Sequence, residues 1–468
     1  MSSEEVKLSS ESAGEKRLSP PPVIHEKSGS SRELFVLAYP LMISFMSFSI
    51  MGIIDTLVVG YVGTPQQGGV GMGMNLSWMM FSLFTGTMSA ISIFVAQSYG
   101  AGKIDQLARW SLAAFAIAIP GSLVVYCLIP LVPKLVPLIG TKPEVVEHVV
   151  IYMQVSMIGI PFLLANFIFS GFLRGLGDTF TPMIVTVIAN VINVLLDIVL
   201  VFGMWGFPRL EVKGAALASL IATALSAFMY LYVYLNKKNN ELYHTRNFSL
   251  PSLNEVGRFL KIGAPMGGAW SIEMVSWAFM MSFISTISSA GLAATSIIWQ
   301  LLHFSFMPTV ALSIAVSTLV GQYLGAERVD LAQRSAKIGM IWGIVLMAFI
   351  GLVYALGRGH IIALFNPDPE VIEIGGTLLL IAAAFQIFDA IGITSSGVLR
   401  GAGDTRFPLY AQIALAWLIF IPLVYVFGKI LDWQVYGAWL AALVFITLLG
   451  LTLAARYASG KWKSMRVV

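Results

Sequence analysis

Long apolar segments separated by short polar connections run through most of the chain. From Glu33 onward, twelve of these segments are long enough to cross a bilayer, whose hydrocarbon core is about 30 Å thick. They are expected at about 34–62, 70–99, 110–133, 148–172, 180–204, 214–236, 257–286, 292–320, 336–357, 373–398, 408–428 and 437–456. The pattern predicts an all-α membrane protein with twelve transmembrane helices.

Composition supports that class. Hydrophobic residues make up 57% of the 468 positions and charged residues only 11%, whereas soluble proteins carry about 25% charge. A single cysteine, Cys127, excludes a disulfide-rich scaffold, and a net charge of +4 gives no reason to expect a nucleic-acid partner. The expected surroundings are the lipid bilayer of the inner, or plasma, membrane.

Basic residues are divided unequally between the two sides of the membrane. Both terminal segments and every second connection together hold 22 of the 28 Lys and Arg residues. The other side keeps Lys134, Lys142, Arg209, Lys213, Arg358 and Lys429. Under the positive-inside rule both termini are cytoplasmic. Residues 1–32, nine of which are serine, are expected to form a disordered cytoplasmic tail.

The two halves of the chain repeat each other. The twelve residues 171–182 recur at 397–408 with eight identities and an offset of 226. Three further collinear matches keep nearly the same offset, and one of them pairs 95–101 with 320–326. Six spans in each copy give both copies the same orientation, so the two lobes should be related by an axis along the membrane normal. The expected division is a six-helix lobe at 33–236, a cytoplasmic linker at 237–256, a six-helix lobe at 257–460 and a cytoplasmic tail at 461–468.

The repeated element resembles a motif of the multidrug and toxic compound extrusion (MATE) family. The resemblance covers about 33–460 and is carried by the Leu-Arg-Gly-x-Gly-Asp-Thr-x-x-Pro elements beginning at Leu173 and Leu399, Val-Ala-Gln-x-x-Gly-Ala at 95–101, Pro40, Asn193 and Asp197. It implies two six-helix lobes around a V-shaped cleft. It also implies export of organic cations driven by inward movement of H⁺ or Na⁺.

Four acidic side chains lie well inside the predicted spans, namely Asp55, Asp197, Glu273 and Asp389, and no Lys or Arg does. An unpaired charge at the bilayer centre costs about 2.5 kcal/mol or more. Each acid must therefore be protonated or share its charge with a bound cation. The four acids predict sites for H⁺, Na⁺ or a cationic substrate, although any single one could instead be a neutral, hydrogen-bonded structural group.

The first pair, Asp55 and Asp197, lies in spans 1 and 5. Asn190 and Asn193 precede Asp197 by seven and four residues, so the three share one helix face. We expect these four residues to form a cation-coupling site that suits Na⁺ or an exchangeable proton. The family resemblance implies a cation site on Asp55, Asn193 and Asp197, whereas Asn190 could instead hold helices together.

The second pair, Glu273 and Asp389, lies in spans 7 and 10 and is expected to hold the second-half cation or the cationic substrate. The predicted substrate-binding neighbours on the same helix faces are Trp277, Met280, Phe385 and Gln386. Apolar and aromatic side chains beside a carboxylate suit a lipophilic cation, although Trp277 could equally face lipid or the core.

The resemblance extends to bacterial-type members of the family that carry a Glu and an Asp at these two positions and use them for Na⁺. Some of those members have a tyrosine one turn before the Asp. This chain has Phe385 there, which removes a hydroxyl ligand for Na⁺.

Two further amides are candidates for contact with substrate. Gln97 ends the second span and Gln300 lies in the eighth, beside His303. The alternatives are helix packing for Gln97 and an ordinary core position for the histidine.

These features together predict a transporter, not an enzyme. There is no Walker loop, no metal-binding cysteine cluster and no hydrolase motif, so we expect no cofactor. The prediction is a monomeric antiporter that exports organic cations by alternating access, coupled to H⁺ or Na⁺, with H⁺ favoured by the apolar neighbours of the acids. The alternative is a lipid-linked oligosaccharide flippase, although a pyrophosphate cargo needs basic residues in the cleft. A receptor or channel does not account for the duplication and the four acids.

Overall fold

The computed structural model describes residues 24–25, 27–140 and 142–468. Most of the predicted N-terminal tail, residues 1–23 and 26, lies outside the described residues. Within the described ranges the chain is helical and contains no strand. The twelve transmembrane helices, numbered α1 to α12, are Ser31–Gly60, Thr64–Gly100, Ile104–Ile139, Pro143–Ile158 with Ile160–Gly175, Phe180–Phe202, Glu211–Leu235, Leu253–Ser285, Ser289–Gly325, Val329–Ala363, Pro369–Ala402, Arg406–Ile430 and Gln434–Ala458.

The predicted number of spans is confirmed. Ten of the described helices are individually long and apolar enough to cross a membrane, and the bent pair that forms α4 adds an eleventh. The twelfth is α7, which has 33 residues and therefore a length of about 50 Å at 1.5 Å per residue. A short helix, Lys237–Tyr243, lies in the linker between α6 and α7.

Polar residues cap the helices where the sequence changes from polar to apolar. The side chain of Ser30 accepts from the backbone N–H of Glu33 at the start of α1. At the start of α7, Ser252 and Glu255 form a reciprocal capping box. Asp368 caps α10 immediately before Pro369. Each cap satisfies an N–H group that the helix itself leaves without a partner.

Several helices are interrupted. The two parts of α4 meet at an angle of 51°, whereas the sequence predicted one continuous span at 148–172. The break falls at Gly159, and Pro161 stands in the first turn of the second part. Proline lacks an N–H and is tolerated in a first turn, so the bend follows from these two residues. A π-helical segment at Ala416–Phe420 similarly interrupts α11.

Helices α1–α6 form the first lobe and α7–α12 the second. A core cluster containing Phe94, Trp110 and Phe172 fills much of the first lobe. A cluster containing Trp439 and Phe420 fills the second lobe, in which α10 packs against α8, α9 and α12. Close approach of helix backbones through small residues is the usual mode of packing in membranes.

The lobes meet mainly along three pairs of helices. In the first lobe α1 packs on α8 of the second, and α2 packs on both α7 and α8. The hydroxyls of Ser82 and Ser271 lie 3.0 Å apart across this boundary. A Cβ atom on Gly86 would lie 2.6 Å from the Cα of Gly267, so only glycine fits there. We call the half of the molecule in which α1 starts and α12 ends the base, where Leu34, Leu37 and Leu41 of α1 pack with residues of α8.

Candidate functional site

The two first-half acids meet inside the first lobe. Asp55 projects from α1 and Asp197 from α5, and their exposed fractions are 1% and 0%. Their carboxyl groups lie close enough to interact directly, and two neighbouring buried carboxyl groups share one proton more readily than they both carry a charge. The predicted pairing of these acids agrees with the packing of α1 on α5. We call Asp55, Asn193 and Asp197 the first-lobe carboxyl site.

Asn193 is fully buried beside Asp55. In the amide orientation that satisfies both neighbours, its Nδ2 donates to Oδ1 of Asp55 at 3.0 Å and its oxygen accepts from the backbone N–H of Ser219 at 3.2 Å. The amide therefore presents a hydrogen-bond donor to the carboxyl group and keeps its oxygen engaged elsewhere. In this conformation Asn193 orients Asp55, and its oxygen is not available as a ligand for a cation at the site.

Asn190 lies one turn away and makes a different contact. Its Nδ2 donates to the hydroxyl of Ser47 on α1 at 2.8 Å. This bond joins α5 to α1 next to the site. It is the helix-packing contact that the sequence had left open as an alternative to ion coupling.

Two residues near the site had no signal in the sequence. The Ser219 hydroxyl on α6 lies beside Asp55 and beside the hydroxyl of Tyr152 on α4. A serine or tyrosine within an apolar helix carries no charge that would single it out. Both are polar groups beside the acids, so the site is surrounded by four helices of one lobe.

The charges at this site do not balance unless a cation is present. Oδ2 of Asp55 and Oδ1 of Asp197 are both buried and receive no hydrogen bond from another residue. Among the described residues, no Lys, Arg or His forms a salt bridge with either acid. Two carboxylates in contact cannot both remain charged in an apolar interior. The arrangement can therefore hold a proton between the acids, or a small cation if the Asn193 amide turns.

The second-half acids lie on two helices of the second lobe. Glu273 on α7 and Asp389 on α10 are both half-buried and interact electrostatically with each other. The structure thus brings the two acids together, as predicted from the sequence.

Arg400, the arginine of the element that begins at Leu399, is a residue of this region that the sequence did not connect with the acids. Its guanidinium interacts electrostatically with Glu273 and donates to the hydroxyl of Ser313 at 3.3 Å. Arg400 lies in the last turn of α10, outside the span expected at 373–398. An arginine side chain is long enough to reach back along its own helix, so a positive charge faces the second pair of acids after all.

The predicted substrate-binding residues occupy different environments. Trp277 is half-buried and packs against Trp299, with 4.9 Å between ring centroids. Met280 and Phe385 are buried in the core of the second lobe. Gln386 donates to the Ser305 hydroxyl at 3.2 Å. Of this set, Trp277 is the side chain that combines partial exposure with an aromatic neighbour.

The two candidate glutamines differ from each other. Gln300 is exposed, as a residue that faces an open cleft would be. Gln97 is completely buried at the base, where its Nε2 donates to the backbone oxygen of Gly401 in the other lobe at 2.9 Å. The structure does not bring Gln97 together with the acids.

Metal-binding clusters of the usual kind are missing from the described residues. No group of three or more His, Cys, Asp or Glu side chains there could hold a metal ion. A Na⁺ site would have to be completed by amide, hydroxyl or backbone oxygens. Hard cations accept such ligands, and Ser219 and Asn193 are the side chains at hand.

The duplication seen in the structure coincides with matches to known proteins. A family model described as MatE matches residues 40–199 and 265–426. A probable multidrug resistance protein NorM of Thermotoga maritima is 26% identical over 438 residues, which cover 93% of this chain and 94% of that protein. The multidrug resistance protein NorM of Photobacterium profundum is 27% identical over 440 residues, covering 92% and 96%.

Solved structures share the fold. The chain resembles an outward-facing multidrug resistance MATE family transporter of the MOP superfamily with a TM-score of 0.84 and 18% identity, covering 92% of this chain and 96% of that one. The eukaryotic MATE transporter AtDTX14 gives a TM-score of 0.84 and 20% identity over the same shares. These matches agree with two six-helix lobes.

Proposed function

The chain belongs to the multidrug and toxic compound extrusion (MATE) family of membrane transporters, and we propose that it exports lipophilic organic cations in exchange for protons. The relatives named as multidrug resistance proteins support export of drugs. We further propose that it acts as a monomer in the plasma membrane, with its base facing the cytoplasm. The unequal distribution of basic residues supports that orientation.

The contact between Asp55 and Asp197 is the observation that supports proton coupling. Two buried carboxyl groups in contact have room for one proton between them, and burial among apolar helices makes the doubly charged state unfavourable. Asn193 directs an N–H toward Asp55, which suits a carboxyl oxygen that no metal ion occupies. A Na⁺ ion at the same point would be better served by the amide oxygen.

The second pair of acids is proposed to bind the organic cation. Glu273 and Asp389 are half-buried, so their carboxyl groups are partly accessible to a substrate in the cleft. Arg400 offsets part of their negative charge. A bound cation competes with Arg400 for Glu273, and Trp277 adds an aromatic surface.

Efflux of ethidium from cells tests the proposed class of substrate. Cells that produce the wild-type chain are expected to lose ethidium faster than cells with Asp197→Asn, which cannot exchange a proton at the first-lobe site. Asp330→Asn is the matched control, because Asp330 is exposed and pairs only with Arg328. Equal retention by wild-type and empty cells would contradict export and would favour the flippase alternative.

A further inference from the structure

Two glutamines at equivalent positions of the repeat fasten the lobes to each other at the base. Gln97 donates to the backbone oxygen of Gly401 at 2.9 Å, and Gln322 donates to that of Gly175 at 2.9 Å. Both acceptors belong to the duplicated Gly-x-Gly-Asp element of the opposite lobe. The two bonds are therefore related by the internal symmetry, and both are lost when the base opens.

The symmetry is broken by a segment that follows α12. After the turn Lys461–Ser464, residues 465–468, which we call the strap, return to the boundary between the lobes. Trp462 fixes the start of this path, since its side chain is fully buried and donates to the backbone oxygen of Tyr457 at 3.0 Å. The strap is therefore held to the second lobe by the turn that precedes it.

Val467 connects the strap to both lobes through consecutive backbone groups. Its N–H donates to Oε1 of Gln97 in the first lobe at 2.9 Å, and its carbonyl accepts from Nη2 of Arg258 on α7. A Cγ atom of its side chain lies close to Gly403, in the space that a Cβ atom on that residue would occupy. Arg258 in turn lies over the ring of Trp110 in the first lobe, 5.5 Å from its centroid.

These contacts can all exist only while the base is closed. Gln97 is the common point, because its amide donates to one lobe's backbone and accepts from the strap. We propose that the strap is an autoinhibitory contact that stabilises the base-closed conformation and must leave Gln97 before the base opens. The inference does not depend on which ion or substrate is transported.

Distance measurements between spin labels at the base test this directly. Labels would be placed at Lys103 and Gln333, which are exposed on opposite lobes, after Cys127→Ser removes the native thiol. Val467→Pro deletes the N–H that binds Gln97, and loss of one buried hydrogen bond should raise the ratio of base-open to base-closed molecules about five-fold. Deletion of 465–468 should raise it further.

Two controls keep the N–H and are expected to retain the short distance of the wild type. Val467→Ala preserves the backbone donor. Arg466→Ala removes a cation whose Nη1 donates only to the nearby carbonyls of Lys463 and Met465. Unchanged distances in both Val467→Pro and the deletion would overturn the proposal, as would an equal shift in Arg466→Ala. If the deleted chain does not accumulate, the comparison of Val467→Pro with Val467→Ala decides.

Discussion

The internal repeat allows the hydrogen bonds that hold the base closed to be compared at two equivalent positions. Gln97 and Gln322 occupy equivalent positions, yet Gln97 makes two hydrogen bonds at 2.9 Å, whereas one, also at 2.9 Å, joins Gln322 to the other lobe. Both side chains are buried, with exposed fractions of 0% and 6%. Substitution by leucine nearly preserves the volume and removes the polar atoms.

The expected cost follows from the groups left without a partner. Each buried donor or acceptor deprived of its hydrogen bond costs about 1–3 kcal/mol. Gln322→Leu leaves one such group, and Gln97→Leu leaves two, so the second change should destabilise the closed base by about 1–3 kcal/mol more. That difference corresponds to at least about a five-fold larger shift toward base-open molecules.

The spin-label pair at Lys103 and Gln333 provides the assay, with each substitution measured in the same background. The expected order of base-open population is wild type, then Gln322→Leu, then Gln97→Leu. Deletion of 465–468 should remove the difference between the two leucine variants, since it takes away the extra partner of Gln97. Equal shifts in the full-length variants, or a larger shift for Gln322→Leu, would refute the reasoning.

Three further predictions have distinct expected outcomes. Asn193→Leu removes the N–H that orients Asp55, so coupled efflux should fall at least about ten-fold while ethidium binding persists; efflux at the wild-type rate would contradict the role of Asn193. Glu273→Gln and Asp389→Asn should weaken binding of a lipophilic cation, and the double variant should lose less than the sum because the acids interact; strictly additive losses in equilibrium binding would place them in separate sites. Gly100→Val should favour base-open molecules in the spin-label assay, because its Cβ would overlap the backbone of Gln322; an unchanged distance would show that the helices have room to part there.

Much of the fold could be predicted from the sequence because a bilayer imposes a length on each apolar segment. The prediction of 180–204 became Phe180–Phe202. It was less successful for the ninth span, expected at 336–357, since Val329–Ala363 extends beyond that segment at both ends. Hydropathy marks where a helix is apolar, and it does not mark where the helix stops.

The buried acids of the site could be predicted from their charge. Residues whose contacts depend on how the helices pack could not. Asp55 and Asp197 stood out because acids are rare in apolar spans. Ser219 carries no such signal, and its contact with Asp55 arises from the packing of α6 beside α5. Gln97 was grouped with substrate candidates because it ends a span; its buried bond to Gly401 depends on how the lobes meet, which no local pattern encodes.

A proton bound between Asp55 and Asp197 is proposed to drive export. The decisive measurement uses purified protein in vesicles at zero membrane potential, with ethidium because its charge is permanent and does not follow pH. A pH gradient without Na⁺ is expected to drive ethidium toward the acid side, and Asp197→Asn vesicles and protein-free vesicles should show no such movement. Ethidium movement under a Na⁺ gradient at constant pH, absent under the pH gradient alone, would contradict the account.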